Sequence, residues 1–435
     1  MIEWYILLPA AFALLLLLLF AGVPIFASFL FLNLAGVLYF IGLKGSGLLV
    51  NSIFNSSTSL SLAAIPLFIL MGEILFRSGS INVLFDSIGQ LIGKIRGRLY
   101  YFVVLLSTIF GSLSGSAVAV TAMLSNTALK SMMQRGYDKK LSIGMVLSGA
   151  ALAPIIPPST LAVIIGSIAD VSIAKLLIAG LIPGAALAII FTAFIAFSIK
   201  RNPALAPEDE QLEVVSVRTK LLAIARCLPF SIVILGVMGA ILLGIATATE
   251  AAATGVAASV IVALYYRKLS FSMLVDSVRS ATEVTTMLMV IIISSTLFTQ
   301  LLALTGASAG LVATVKEMSI SPYVFILVTL AITFVMCMFI DQIAFMLMAI
   351  PILEPVLKTF PIDPLVFWVL FLIFLSLGSN TPPFGYNLFA MKAVADDITI
   401  SEIFSAAWRV VWLVVAGTLL FMLFPSIVTL LPSLM

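Results

Sequence analysis

Four short polar patches interrupt long apolar segments of this sequence, and they hold the side chains best suited to binding small ions. Hydroxyl, carboxylate and backbone oxygens suit Na⁺, while the N-terminus of a half-helix favours a carboxylate. No Lys or Arg lies in these patches, so an anionic substrate would need cations and amide dipoles to balance its charge. The candidate ion- and substrate-binding residues are Ser112, Ser114, Gly115, Ser116, Pro157, Pro158, Ser159, Asp341, Gln342, Gly378, Ser379, Asn380, Thr381, Pro382, Pro383 and Gly385.

Two Pro-Pro pairs predict that helices are broken at matching points in the two halves of the chain. Pro157-Pro158 interrupts the apolar stretch 141–169, and Pro382-Pro383 interrupts the stretch 364–392, 225 residues later. A bilayer tolerates broken backbone only where protein or a cavity covers the freed polar groups. One broken helix in each half therefore indicates a binding site of the kind found in secondary transporters.

Asp341 is the strongest single candidate, because an acid in the middle of a membrane is costly and usually functional. The alternative for the other patches is that Gly, Ser and Pro only allow close packing and kinks. The recurrence of the patches at an offset of 225–227 residues favours a binding function. The predicted Na⁺ ligands are Ser114, Ser116, Asp341, Ser379 and Thr381.

The composition is that of a membrane protein with many spans. Of 435 residues, 62 % are hydrophobic and 9 % are charged, whereas soluble domains carry about 25 % charged residues. The net charge of +3 indicates no nucleic-acid surface. The sequence has no His, which removes the commonest general base and transition-metal ligand. We therefore expect no cofactor, with Na⁺ as a coupling ion.

One motif resembles that of a serine hydrolase. Residues 111–115 satisfy the Gly-x-Ser-x-Gly pattern of a nucleophile elbow, so an intramembrane serine protease is a rival interpretation. Such a serine normally needs a His base, and no strand is predicted before the motif. We therefore predict that the protein is not an enzyme.

The elements that position the patches are predicted to be membrane helices. Two apolar stretches, 99–132 and 322–357, are too long for one crossing and have polar centres, so we predict re-entrant hairpins with tips near mid-membrane. The other helix-length apolar runs fall near 4–20, 24–43, 62–77, 174–199, 228–245, 248–265, 283–304 and 404–430.

The distribution of positive charge predicts the orientation. With two hairpins and both termini outside, 18 Lys and Arg residues lie inside and four outside, in agreement with the positive-inside rule. If residues 99–132 crossed the membrane instead, the basic residues before and after them would lie on opposite sides, and the excess of positive charge inside would be lost. The hydrophilic segment 200–220 is then a cytoplasmic linker.

The same layout predicts an inverted repeat of residues 1–199 and 221–435. Each half has three crossings, an interfacial helix, a hairpin, a broken helix and a final crossing. The broken helices are about 141–169 and 364–392. An odd number of crossings per unit places the two copies in opposite orientations.

Four motifs resemble the large membrane subunit of TRAP (tripartite ATP-independent periplasmic) transporters over essentially the whole chain. They are Gly-Ser-Leu-Ser-Gly-Ser-Ala (111–117), Pro-Ile-Ile-Pro-Pro-Ser (154–159), Leu-Ile-Ala-Gly-Leu-Ile-Pro-Gly (177–184) and Asn-Thr-Pro-Pro-Phe-Gly (380–385). More distantly, Ser379-Asn380-Thr381 is similar to the hairpin signature of divalent-anion/sodium symporters, although here it lies at a Pro-Pro break.

This resemblance implies a function and partners. Such subunits work with a small four-helix membrane subunit, which we expect to be encoded separately, and with a periplasmic substrate-binding protein. The three import carboxylates, such as C4-dicarboxylates or sialic acid, using a sodium gradient. The implied fold is an elevator, in which hairpins and broken helices form a moving transport domain and the other helices a scaffold.

We therefore expect a sodium-coupled, binding-protein-dependent carboxylate importer in the bacterial inner membrane, with both termini periplasmic. The remaining rival is an anion channel or uniporter. A channel needs a continuous polar path along several helices, whereas polarity in this sequence is confined to mid-membrane patches.

Overall fold

The computed structural model describes residues 4–78, 83–84, 87–89, 95–207, 217–395 and 397–435, apart from the side chains of three residues (Leu113, Ser114 and Val217). All regular structure in these ranges is helical, as predicted. The first half contains α1 (Trp4–Phe20), α2 (Ile25–Phe40), α3 (Ser46–Thr58), α4 (Ala64–Arg77), α5 (Arg98–Ser114), α6 (Ala117–Leu124), α7 (Lys130–Gln134), α8 (Lys139–Leu152), α9 (Thr160–Ile168), α10 (Ile173–Ala179) and α11 (Leu181–Arg201).

The second half is helical in the same manner. It contains α12 (Val217–Leu242), α13 (Ala248–Tyr265), α14 (Phe271–Leu304), α15 (Ala307–Glu317), α16 (Pro322–Cys337), α17 (Gln342–Leu357), α18 (Pro364–Gly378), α19 (Tyr386–Val394), α20 (Ile400–Leu423) and α21 (Ser426–Thr429).

Among the described residues, six helical segments are long and apolar enough to cross a bilayer. Shorter apolar helices, including α1, α2 and both arms of the predicted second hairpin, accompany them. This composition of helices agrees with the prediction of an all-α membrane protein. The long segments are Leu60–Arg77, Ile173–Arg201, Arg218–Leu242, Ala248–Tyr265, Phe271–Leu304 and Ile400–Leu423.

Each segment predicted as a hairpin consists of helices that meet at a tight turn. In the first hairpin (residues 98–134), α5 ends at Ser114 with Gly115 as its C-cap, and α6 begins after Ser116. A π-helical turn at Ser125–Leu129 leads into α7. In the second hairpin (residues 322–357), α16 and α17 are joined by residues 338–341. The two helices of each hairpin contact each other.

Each segment predicted as a broken helix is divided at its Pro-Pro pair. The first break (residues 153–159) separates α8 from α9, and the second break (residues 379–385) separates α18 from α19. Both Pro-Pro peptide bonds are cis.

The centre of the molecule is formed by the first parts of the two broken helices. Every residue of α18 from Val366 to Gly378 is buried, and so is every residue of α8 from Leu141 to Leu152. A helix that is apolar on all sides belongs inside a protein. The two helices contact each other, and Ser376 Oγ donates a 2.9 Å hydrogen bond to the Ala151 carbonyl oxygen.

A second group of helices packs beside this centre. Helix α4 contacts α13 and α14, and α14 also contacts α2 and α3. Between α2 and α14, the Asn33 amide donates a 2.9 Å hydrogen bond to the Ser294 carbonyl oxygen. Helix α14 has 34 residues, which corresponds to a length of about 50 Å.

Two helical elements were not expected from the sequence. Helix α3 carries several Asn and Ser residues, and α14 begins at Phe271, ahead of the apolar run predicted at 283–304. Hydropathy detects only the apolar part of a helix. The polar start of α14 includes an Arg279–Glu283 pair of 3.0 Å, and Ser52 of α3 bonds Gln300 of α14 at 3.3 Å.

Part of the predicted linker 200–220 is tied to the first hairpin. Tyr100 Oη donates a 2.7 Å hydrogen bond to the Leu205 carbonyl oxygen, which also accepts the Asp138 amide at 3.0 Å. Residues 208–216 lie outside the described residues. The cytoplasmic position of the linker and the inverted repeat of 1–199 and 221–435 stay predictions.

Candidate substrate and ion site

Both hairpin turns reach one cavity of about 380 Å³. The first turn contributes Gly115 and Ser116, and the second contributes Asp341 and Gln342. Thr160 and Tyr386, just after the two breaks, complete this side. The opposite wall comes from α4 and α14, and its residues are Ile69, Gly72, Glu73, Phe76, Val284 and Leu288.

The first hairpin turn packs against the first break. Gly115 has a φ of 58°, a left-handed conformation that favours glycine. A Cβ at this position would lie 3.3 Å from Thr160 Oγ1 and 3.6 Å from the Pro158 carbonyl oxygen. The turn therefore lies directly on the backbone of the first break.

The serines of this region mostly cap helices. Ser116 Oγ accepts the Ala119 amide at 3.3 Å, and Ser159 Oγ accepts the Ala162 amide at 3.2 Å. Ser112 is buried, and its hydroxyl donates to the Ile109 carbonyl oxygen at 2.7 Å. The side chain of Ser114 lies outside the described residues. Of these serines, Ser116 lines the cavity.

Asp341 is the N-cap of α17. Its Oδ1 accepts the amides of Ile343 at 2.9 Å and Ala344 at 3.3 Å, an arrangement that also suits the positive end of the helix dipole. Gln342, beside it, is 7 % exposed, and its Oε1 has no hydrogen-bond partner among the described residues. A further cavity of about 330 Å³ lies between Asp341 and the α1–α2 turn.

The second break is joined tightly to the second hairpin. The Phe384 amide donates a 3.2 Å hydrogen bond to the Met338 carbonyl oxygen. A Cβ on Gly378 would lie within 2.3 Å of Cys337 Cβ, so the ends of α18 and α16 are in direct backbone contact. Gly385 is similarly enclosed, because a Cβ there would lie 2.6 Å from the Thr381 carbonyl oxygen.

Polar side chains of the second break form a buried network behind the second turn. Ser379 and Asn380 both donate to the Ser376 carbonyl oxygen, at 2.7 and 2.9 Å, and Thr381 donates to Leu377 at 2.7 Å. Asn387 Nδ2 donates to Ser379 Oγ at 3.1 Å and Asn380 Oδ1 at 3.2 Å. The Asn387 Oδ1 atom is buried without a partner in the described part of the chain.

The structure thus divides the predicted site residues into two groups. Gly115, Ser116, Asp341 and Gln342 share the cavity. Gly378, the last residue of α18, and the predicted residues of the second break (Ser379–Thr381, Pro382, Pro383 and Gly385) lie behind the second turn. Pro157, Pro158 and Ser159 form the backbone support of the first turn.

Sequence reasoning did not select four residues that belong to this region: Thr160, Tyr386, Glu73 and Asn387. Glu73 is spaced i,i+4 from Arg77, which favours an ion pair along the helix, and the two do pair at 2.6 Å. It nevertheless lines the cavity. The sequence did contain a signal for Asn387, because an amide side chain inside an apolar stretch needs a hydrogen-bond partner.

The atoms available to bind an ion at this site are oxygens of hydroxyl, amide and backbone groups. Within the described ranges, no group of three or more His, Cys, Asp or Glu side chains could hold a metal ion. Oxygen donors of this kind suit a hard, weakly bound cation such as Na⁺. The unpartnered Asn387 Oδ1 is one acceptor that such a cation could satisfy.

Comparison with protein families identifies the family to which the chain belongs. The family of the tripartite ATP-independent periplasmic (TRAP) transporter, DctM component, matches residues 12–427. This chain belongs to that family. The TRAP large subunit predicted from the four sequence motifs is therefore confirmed.

Individual TRAP proteins are similar along most of their length. The C4-dicarboxylate TRAP transporter large permease protein DctM of Pseudomonas aeruginosa is 31 % identical over 79 % of this chain and 79 % of its own length. The ectoine TRAP transporter large permease protein TeaC of Halomonas elongata is 28 % identical over 89 % of this chain and 90 % of its own.

A solved structure supports the fold alone. The YdaH transporter of Alcanivorax borkumensis superposes with a TM-score of 0.64, at 12 % identity over 89 % of this chain and 90 % of that chain. The TRAP relatives are named as permeases, which agrees with a transporter and not with the protease interpretation of residues 111–115.

Proposed function

We propose that this chain is the large membrane subunit of a sodium-coupled, binding-protein-dependent importer of a small carboxylate. The observation that carries the proposal is the shared cavity, because two hairpin turns face it from one side and two long membrane helices close it from the other. Substrate sites in transporters are commonly built at such junctions of broken helices.

The packing supports an elevator with two bodies. The transport body consists of the two hairpins and two broken helices, which are linked to each other by the Phe384–Met338 hydrogen bond, the Gly378–Cys337 contact and the Ser376–Ala151 hydrogen bond. The wall of α4 and α14 belongs to the other group of helices. Movement of the transport body along this wall would carry the cavity across the membrane.

Sodium would bind where hairpins and breaks meet. The hydroxyl groups of Ser379 and Thr381 and the free Asn387 Oδ1 lie in or beside the second break, and Ser116 lies at the first turn. Partial negative charge on several oxygens, without a fixed cation, suits Na⁺. The predicted ligands Ser114 and Asp341 complete the proposal.

The substrate and partners follow from the family. The relatives named above carry a C4-dicarboxylate and ectoine, and each of these molecules contains a carboxylate. A periplasmic binding protein would deliver the substrate, and a small four-helix membrane subunit would support the scaffold. The chain would lie in the inner membrane with both termini periplasmic.

The proposal is tested with proteoliposomes that contain this chain and its small subunit. Uptake of labelled succinate, sialic acid and ectoine is measured with the corresponding binding proteins, with and without an inward sodium gradient. We expect uptake that requires both sodium and a binding protein. Uptake driven by the substrate gradient alone would indicate an anion channel or uniporter.

A further inference from the structure

Glu73 gives the wall of the transport cavity a negative charge. It lies one helical turn before the end of α4 at Arg77, and its side chain is 25 % exposed. Glu73 lines the cavity on the side opposite the hairpin turns. Arg77 pairs with it at 2.6 Å but is not among the described residues that line the cavity. The ion pair therefore presents its negative member to the site.

Charge on this wall is confined to one end. In α4, residues 64–72 include no Asp, Glu, Lys or Arg, and in α14 the same holds for residues 284–304. Each helix carries its i,i+4 ion pair at the opposite end from this uncharged stretch. With the predicted orientation, both charged ends lie on the cytoplasmic side. A cavity beside Glu73 is therefore near the cytoplasmic end of the wall.

The charge of Glu73 acts on a substrate in only one position of the transport body. Glu73 belongs to the wall and stays in place, whereas the hairpin turns carry the substrate along it. Movement toward the periplasm brings the substrate opposite the uncharged parts of α4 and α14. A small carboxylate in the cavity of about 380 Å³ lies close to Glu73, where little water separates the two charges and their repulsion is poorly screened.

We propose that Glu73 is a release residue, which lowers the affinity of the cavity for an anionic substrate at the cytoplasmic position and not at the periplasmic one. Arg77 limits this repulsion by balancing part of the Glu73 charge. The sodium gradient supplies the free energy, because a weaker inner site makes the inward movement of the loaded transport body less favourable by the same factor. This inference rests on the proposed transport function and adds to it a residue that favours release inside.

The test measures the affinity of the inner position separately from that of the outer one. Proteoliposomes that contain this chain and its small subunit are preloaded with unlabelled succinate or sialic acid. Initial uptake of the same labelled acid is then followed with its binding protein and an inward sodium gradient. The internal concentration that halves the initial rate reports the inner affinity. The concentration of loaded binding protein that gives half-maximal uptake reports the outer position.

Variants of the two members of the ion pair should have opposite effects. Glu73→Gln removes the negative charge, and we expect it to lower the inhibitory internal concentration about fivefold. Arg77→Gln leaves the Glu73 charge unbalanced and should raise that concentration about twofold or more. Glu73→Asp keeps the charge and should match the wild type. None of these variants should change the value measured for the outer position.

Glu283→Gln is the matched control. Glu283 pairs with Arg279 at 3.0 Å with the same i,i+4 spacing, on the other helix of the wall, but it is not among the described residues that line the cavity. This variant should leave the inner and the outer values unchanged. If Glu73→Gln does not assemble, the comparison of Arg77→Gln and Glu73→Asp with the wild type still carries the test.

The signs of the effects separate release from a purely structural role. If the ion pair only stabilises α4, Glu73→Gln and Arg77→Gln will shift the inner value in the same direction and lower the midpoint of thermal unfolding together, which would overturn the inference. An inner value unchanged by Glu73→Gln, or an equal change at the outer position, would also overturn it.

The wild-type protein distinguishes failure of the inference from failure of the proposed function. Uptake of ectoine but of neither anion would overturn the inference alone, because a zwitterion has no net charge for Glu73 to repel. If uptake of all three acids requires neither sodium nor a binding protein, the proposed function itself fails.

Discussion

At the scale of single residues, the site consists of side chains that also cap helices. Ser116, Ser159 and Asp341 each accept the amides that begin a helix. The sequence could identify these positions because a polar residue in a long apolar segment is rare. It could not identify Glu73, since whether an i,i+4 partner of Arg77 also faces a cavity depends on how α4 packs.

Asn387 provides the sharpest test of the sodium proposal at this scale. Its amide holds Ser379 and Asn380 in place and leaves Oδ1 free, so we expect Asn387→Ala to raise the sodium concentration for half-maximal uptake roughly tenfold. The measurement is the sodium dependence of initial uptake rates in proteoliposomes.

Asn33→Ala is the matched control. Asn33 is also buried, and its Oδ1 has no hydrogen-bond partner among the described residues. It lies between α2 and α14, where its amide donates to the Ser294 carbonyl oxygen. It should leave the sodium dependence unchanged. Equal shifts in both variants would contradict a specific role for Asn387.

At the scale of elements, hydropathy and Pro-Pro pairs located most of the helices that build the site. The segments predicted as hairpins and broken helices contain helix pairs with turns at Gly115 and at residues 338–341. The sequence did not predict α3 or the polar start of α14, because those helices are stabilised by packing and polar pairs and not by a continuous apolar run. That α4 and α14 form the opposite wall of the cavity could be seen only from the tertiary structure.

The contact between α16 and α18 makes a prediction about stability. Because a Cβ on Gly378 would lie 2.3 Å from Cys337 Cβ and 3.0 Å from the Cys337 carbonyl carbon, Gly378→Ala should separate the second hairpin from its break. We expect a loss of about 1–3 kcal/mol, measured as a lower midpoint of thermal unfolding. Gly236→Ala should have little effect, because an added Cβ there would meet no described atom within 4 Å apart from the backbone of its own helix. Equal stability of the two variants would contradict the close packing.

At the scale of the whole molecule, the predicted orientation is tested by labelling cysteines from each side of the membrane. Gln134 and Lys44 are both exposed, at the end of the first hairpin and after α2. With Cys227 replaced by Ser, we expect Gln134→Cys to react only from the cytoplasm and Lys44→Cys only from the periplasm. Labelling of both positions from the same side would contradict the positive-inside assignment.

The whole-molecule mechanism depends on the hairpins and broken helices moving as one body along α4 and α14. The most direct measurement is the distance between spin labels at Gln134, in the transport body, and Lys44, beside the scaffold helices, with and without sodium and substrate. A second pair, Gln134 and Lys358, lies within the transport body. We predict that the first distance changes by at least one helical turn, about 5 Å, while the second stays constant. An unchanged first distance in a preparation that imports substrate would contradict the elevator.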